Sequence, residues 1–469
     1  MVMVFALLLC VQACSAYLLQ ASAGAATSAR AVAPSMTVFA PNKPAKSALP
    51  RSPLPRNARA GWEVHKFGGA SLATAELYKQ CSDLLIDESK RQLETIGSCV
   101  PTMAIVSAKG GVTDRLIAVI ETAMDNLDES AELLRAVTSE QIDVVRTLAG
   151  DEIADAVELR IRQDEEDIIN VVRAVSLLRT IPPSTMDLVT GYGEVWSAMT
   201  MHAYLQATGT PTAWLDAREV LIVEQTGAGG LGDKGSSNTV GTDPLWGATA
   251  QRVVDWFADE GRSDLSTVDC KTEAPVVVVT GFVASTEEGA PTTLKRSGSD
   301  YSATIFARLM GASRITMWKN VNGVYTADPR RVPEAFPIES LKYDEAIELA
   351  YFGAQVLHPS AMQPCIEGEI PIYVRNVFNP THPGTVIEGR ACTLSDSSSL
   401  WSAESTLAKK ESRIAECPVE VKEGDSPIRG ITSVDILRHR SKSGTDRGRN
   451  ASQGARLKEE KRLRKREGN

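Results

Sequence analysis

Before Glu63 the chain contains no acidic residue, and that absence sets its opening stretch apart from the rest. Histidine is almost as scarce, with five in 469 residues, which leaves little from which to build a metal centre. The cysteines carry no framework. Cys10 and Cys14 fall in the acid-free stretch, and Cys81, Cys99, Cys270, Cys365, Cys392 and Cys417 are scattered with no CxxC and no ligand spacing. A disulfide scaffold and a zinc site are therefore not expected, and a reducing compartment fits. No internal run approaches the ~18 consecutive apolar residues of a membrane span, so none is expected in the folded part.

What is present divides by charge. Residues 1–62 hold six Lys/Arg, residues 437–469 hold twelve against four Asp/Glu, and the formal net charge of -9 leaves residues 63–436 at -23. An acidic body of that kind is a poor nucleic-acid binder by its field alone. "MVMVFALLLCVQACSA" has the short apolar core and small-residue end of a secretory signal. The Ser-, Ala-, Pro- and Arg-rich stretch that follows has the composition of a transit peptide. Residues 1–62 are thus expected to be a signal and plastid-transit leader outside the fold, a retained disordered N-terminus being the alternative. The basic segment 437–469 lacks an apolar pattern and is expected to be disordered or at most a lone charged helix. Its positive charge would suit RNA or an anionic surface. The abrupt change of composition reads better as translated non-coding sequence, so no nucleic-acid partner is expected.

Between these ends, strand and helix patterns alternate. "WEVHKF" and the apolar run "PTMAIV" read as strands that each lead into paired glycines and then a helical stretch, "SLATAELYKQCSDLLIDESKRQ" and "TDRLIAVIETAMDNL". Residues 131–178 read as helix, with Ile168, Val172, Val175 and Leu178 on one face, ended by Pro182 and Pro183. Further buried strands are expected at 275–284, 313–318 and 370–376. The pattern predicts an α/β fold with a mostly parallel, two-sided sheet. A formal GxGxxG at Gly227, Gly229 and Gly232 opens no helix and sits in a polar loop, so it is taken as an insertion rather than a dinucleotide site.

Polar residues gather at expected strand-to-helix turns. Lys66 precedes Gly68 and Gly69, where backbone amides and a mobile ammonium could meet phosphate; an exposed lysine on an ordinary turn is the plainer reading. Ser107, Lys109 and Thr113 flank Gly110 and Gly111, with Thr113 as a helix N-cap the plainer alternative. In "TTLKRSGSDYSATIFARLMG", Arg296 suits a carboxylate or phosphate, whereas Ser299 as N-cap and Asp300 against the helix dipole are the bland options. Glu194 beside Gly193, at another expected strand-to-helix junction, could grip an amine. Together these groups suit an amino acid meeting a nucleotide.

The ordered motifs "VHKFGGAS", "VSAKGGVTD", "GYGEVWSA", "VTGFVAS", "TTLKRSGSDYSA", "WKNVNGVYTADPR" and "AYFGAQVLHPSAM" resemble those of aspartate kinases over about residues 62–390. They look most like the kinase half of plant-type bifunctional aspartate kinase–homoserine dehydrogenases. The resemblance implies a three-layer αβα sandwich of the amino-acid kinase (carbamate kinase-like) fold with two lobes: an aspartate-binding lobe, 63–274, and an ATP-binding lobe, 275–390. It implies phosphorylation of L-aspartate by ATP with Mg2+ held mainly by the nucleotide, as the first step towards lysine, threonine, methionine and isoleucine, in plastids. Lys66 and Asp300 would be catalytic. Ser107, Thr113, Glu194 and Arg296 would bind aspartate, and Lys66, Gly68, Gly69, Ser71, Ser299, Lys319, Asn320, Tyr325 and Arg330 would bind ATP; no protein metal ligand is implied.

Departures from the family pattern carry their own expectations. Asn320 stands where the family usually has Asp, which puts ATP affinity in question; Ala70 and Ser297 also depart, with smaller consequence. "SPIRGITSVD" matches the start of the regulatory ACT region, after which the resemblance stops, so 391–436 is expected to be a linker and an aborted ACT start. The expectation is a catalytic domain without ACT feedback control or a dehydrogenase. A poorly active or non-catalytic partner subunit of a full-length kinase is the alternative. Dimerisation or pairing with full-length relatives would be weakened by the missing region.

Overall fold

The computed structural model describes residues 49, 53–224, 243–259, 264–295, 297–351 and 357–389. Leader residues 1–48, the GxGxxG glycines, Arg296 and segments 391–436 and 437–469 lie outside the described residues.

The strands that build the sheet and its hairpin are, in chain order, β1 (Glu63–Phe67), β2 (Thr102–Val106), β3 (Thr212–Leu215), β4 (Val276–Thr280), β5 (Val283–Ser285), β6 (Pro291–Thr293), β7 (Arg314–Lys319), β8 (Ser340–Leu341), β9 (Ile372–Asn376) and β10 (Thr385–Ile387). Among the described residues eight of them form one sheet in the order β8-β10-β9-β7-β1-β2-β4-β3, parallel at every pairing except β9 with β10. β5 and β6 form a separate antiparallel hairpin. The expected continuous strand 275–284 therefore breaks after Thr280, where the chain leaves the sheet.

Strand periodicity sorts side chains onto two faces. Val64, Ile105, Val279 and Met317 pack on one face with α6 (Trp246–Ala258) and α7 (Gly298–Met310). Phe67, Val106, Val278 and Trp318 pack on the other with α1 (Ala75–Lys90) and α5 (Pro183–Ala207). Around β2 and β4 both faces are apolar, which is why these two strands read as unbroken hydrophobic runs, whereas β1 carries Glu63, His65 and Lys66. A third cluster joins α5 to α2 (Val112–Thr122), α3 (Leu127–Leu148) and α4 (Asp151–Leu178) through Leu116, Leu134, Ile168 and Trp196.

Several expected boundaries shift. The helical stretch 131–178 is two helices, α3 and α4, because Ala149 turns extended and Gly150 restarts the chain as an N-cap. Ile168, Val172 and Val175 are buried as expected, whereas Leu178, the last residue of α4, is 68% exposed. Pro183 opens α5 at its first turn, where a missing N–H costs nothing. Trp62, placed in the leader by composition, is 1% exposed and packs on Phe257, with centroids 5.6 Å apart. Ahead of it, Arg59 donates to the Ile96 carbonyl at 2.9 Å. The fold thus begins before residue 63. A lobe boundary at 275 also divides neighbours, since β4 is hydrogen-bonded between β2 and β3.

Candidate active site

The carboxyl ends of β1, β2, β4 and β7 lie side by side in the parallel sheet, the edge where such sheets present ligand sites. The chain leaves β1 through Gly68 into a single 3-10 turn, Gly69–Leu72, and leaves β2 through Ser107 to Gly111 into α2. These two turns touch: a Cβ on Gly69 would lie 2.8 Å from the Ala108 carbonyl oxygen. Gly281, after β4, is equally constrained, since a Cβ there would meet the Val106 carbonyl oxygen at 2.6 Å and Ser299 Cβ at 3.0 Å. Close backbone approach is what draws the start of α7 against the strand ends.

Three charges meet there. Lys66 Nζ lies 2.6 Å from Asp300 Oδ1, and Lys319 Nζ, from the end of β7, donates to Asp300 Oδ2 at 3.0 Å. Burial pulls the Asp300 carboxyl upward, but Lys66 and Lys319 outweigh it and hold the group at about 2. Burial lowers Lys66 from its ordinary value, opposed by the attraction of Asp300. The cluster is one carboxylate between two ammoniums, with a net charge of +1.

Beside it a cavity of about 270 Å³ is lined by Gly69, Ser107, Lys109, Thr113, Glu194 and Ser299 among others. Glu194 is the odd member. It is 5% exposed, and its Oε2 has no hydrogen-bond partner. Burial pushes its carboxyl up to about 8 against the opposing pull of the Ala108 backbone and of Lys66. A buried carboxyl with one unanswered oxygen on a cavity wall can receive a cation.

The expected site residues fall in different places. Lys66, Asp300 and Lys319 meet directly, and Gly69, Ser107, Thr113, Glu194 and Ser299 share the adjoining cavity. Gly68 sits over Lys66, whose Nζ an added Cβ would approach to 3.8 Å, and Ser71 is buried in the 3-10 turn. Asn320, Tyr325 and Arg330 lie outside the cavity wall. Asn320 is exposed just past β7, Tyr325 is half-buried and bridges Pro337, and Arg330 is 84% exposed and paired with Asp328. Arg296 lies outside the described residues.

The local readings need correction as well. Thr113 is not the cap of α2, which starts after Gly111 with no side-chain cap, so its hydroxyl is left to the cavity. Ser299 is not the cap of α7 either: Ser297 occupies that position in a left-handed conformation, and Ser299 and Asp300 lie in the first turn. Glu194 sits in the middle of α5, not at a strand-to-helix junction. Its flanking glycines serve packing, since a Cβ on Gly191 would strike Val283 Cγ1 at 2.8 Å.

Sequence reasoning missed Asp187, seven residues before Glu194 on the same face of α5. It accepts from Thr293 at 3.0 Å and Thr292 at 3.4 Å, and pairs with Lys295. It thereby anchors a turn in which Lys295 and Ser297 both have φ near +60°. Nothing in the sequence pairs α5 with that turn.

Residues 61–376 match the amino acid kinase family. The chain belongs to the amino acid kinase family. It is 36% identical over 328 residues to the chloroplastic bifunctional aspartokinase/homoserine dehydrogenase 1 of Zea mays, covering 70% of this chain and 32% of that protein. It is 32% identical over 331 residues to the chloroplastic aspartokinase 1 of Arabidopsis thaliana, covering 69% and 51%. Escherichia coli aspartokinase III in complex with aspartate and ADP superposes with a TM-score of 0.56 at 26% identity, covering 70% of this chain and 65% of that one. The chain thus spans about a third to a half of the length of these curated relatives. The expected resemblance to aspartate kinases and the expected fold both hold for this member of the amino acid kinase family. Among its described residues no group of three or more His, Cys, Asp or Glu could hold a metal ion.

Proposed function

We propose that this amino acid kinase transfers the γ-phosphoryl group of ATP to the side-chain carboxylate of L-aspartate, giving ADP and 4-phospho-L-aspartate. The observation that carries the reading is the Lys66–Asp300–Lys319 cluster beside a cavity holding the unpaired carboxyl of Glu194. The names of the relatives support aspartate as the acceptor. In the transfer, a substrate carboxylate oxygen forms a bond to phosphorus as the bond from phosphorus to the bridging oxygen of ADP breaks. The attacking oxygen is already ionised, so no proton leaves it and no strong general base is needed. Charge on the moving phosphoryl is met by fixed cations and amides. Lys66 and Lys319 supply the cations, and Asp300 holds both ammoniums in place. Glu194 takes the substrate ammonium, and the hydroxyls of Ser107 and Thr113 donate to its carboxylate. Arg296 is assigned the second carboxylate.

Gly68, Gly69, Ser71 and Ser299 are assigned to the phosphates, and Asn320, Tyr325 and Arg330 to the rest of the nucleotide. For Arg330 this requires release from Asp328. Magnesium is expected to arrive on the nucleotide phosphates. The acid-free leader and the chloroplastic relatives support a plastid location.

The test is to trap aspartyl phosphate as its hydroxamate from L-aspartate and Mg-ATP. Product from this chain supports the reading; none, with an active aspartokinase as positive control, overturns it. The competing role of non-catalytic partner rests on Asn320 and predicts no ATP binding by calorimetry, with binding restored by Asn320→Asp.

A further inference from the structure

One buried cation on the cavity wall has no part in the chemistry above. Lys109 follows β2, is 5% exposed and lines the cavity. Its ammonium pairs with Oε1 of Glu140 on α3, and Oε2 of the same carboxylate takes the guanidinium of Arg115 from α2. The three groups come from a strand-end turn and two helices, so the cluster is a tertiary arrangement and not a pair along one helix. Lys109 and then Arg115 hold the Glu140 carboxyl below its ordinary range. One negative charge answers two positive ones, leaving the cluster at +1, with Lys109 its member on the cavity wall.

That surplus matters because of what surrounds it. Residues 63–436 carry -23, and Asp114 lines the same cavity, so an anionic substrate approaches against the field of the body. Charge of the opposite sign in a concave site raises the concentration of its ligand there, and here the +1 of the cluster is what offsets the Asp114 carboxylate. Had Lys109 and Glu140 stood alone, the pair would be neutral; Arg115 makes it positive. We infer that the Lys109–Glu140–Arg115 cluster selects for net negative charge at the amino-acid end of the cavity, favouring a dicarboxylic amino acid over its neutral amide. This rests on the reading that the cavity takes aspartate. Glu140 and Arg115 side chains are 47% and 41% exposed, so salt screens part of the field and the expected effects are modest.

A structural ion pair and a charge selector predict different signs. At low ionic strength, Lys109→Met is expected to raise KM for L-aspartate about two- to fivefold and Glu140→Gln to lower it by about twofold. Lys109→Arg should restore the parent value. L-asparagine, with the same shape and no net charge, should keep its inhibition constant in both variants, and added salt should shrink the differences for aspartate. If Lys109→Met does not fold, the exposed Arg115→Met carries the same expected sign. Parallel losses for aspartate and asparagine in both variants, or no change in either, overturn the inference while leaving an active wild type, and hence the kinase reading, intact. A wild type that neither phosphorylates L-aspartate nor binds it by calorimetry overturns both.

Discussion

Strand β1 supplies charge to two buried clusters of opposite character. Lys66 points to the face where it meets Asp300 and Lys319. Glu63 and His65 point to the other face, where Glu63 is bonded by Arg91 at 2.7 Å and Arg314 at 2.9 Å. Glu88 is bonded there by Arg314 at 2.8 Å and Arg375 at 2.7 Å. Arg375 also lies 4.6 Å over the Trp318 ring, and Trp318 Nε1 donates to His65 Nδ1 at 3.1 Å. In this second cluster both carboxylates are answered by more than one arginine within a wall of aromatic rings, an arrangement that suits a scaffold. The first cluster opens on a cavity in which Glu194 has an unanswered oxygen. Buried charge therefore does not mark a site by itself; buried charge with unmet partners beside space does.

Breaking the arginine network should separate stability from chemistry most sharply. Glu88→Gln leaves Arg314 and Arg375 underpaired in the interior and is expected to cost about 3–5 kcal/mol. Turnover per folded molecule should change little, as urea melts and active-site titration together would reveal.

The closed cluster and the cavity should also fail at opposite ends of the pH scale. Burial, with Arg314 and Arg375 adding to it against Glu88, holds His65 at about 3. The folded state therefore binds fewer protons than the unfolded one, and stability is lost as pH falls from about 6.5 towards 3. Glu194 behaves inversely. Its folded value of about 8 lies above the ordinary 4.5, so its contribution favours folding at low pH and is lost as pH rises from 4.5 through 8. Glu194→Gln should flatten the alkaline limb alone, by about 2–4 kcal/mol at pH 9, and abolish aspartate binding. Wild-type binding near pH 7 should release a proton, visible as a buffer-dependent calorimetric heat.

A smaller effect is expected where the clusters are only indirectly involved. Asp187→Asn should lose its pairing with Lys295, cost about 1–2 kcal/mol and speed hydrogen exchange at the amides of Leu294 and Gly298, which close the turn it anchors. Unchanged exchange would show that the turn holds itself.

The sheet was legible because β2 and β4 are buried on both faces and read as unbroken apolar runs. The split of α3 from α4 was not, since both helices keep one apolar period through Ala149 and Gly150. At the site, Lys66 and the glycine turns stood out by residue type. Their partnership with Asp300, about 230 positions away, came only through family resemblance. Lys319 as the second partner of Asp300, and Asp187 as an anchor, depend on register across β1 and β7 and on helix docking, which no local pattern encodes. Glu194 was misplaced because its flanking glycines suggested a turn, whereas close packing of α5 is what requires at least Gly191.

The claim that the open cluster performs chemistry while the closed one supports the fold is tested most directly by Lys66→Met, assayed for aspartyl hydroxamate where its melting curve matches the wild type. A fall in turnover of about 10²–10³ is predicted for loss of one oriented donor to the moving phosphoryl. Turnover within threefold of an active wild type would contradict it.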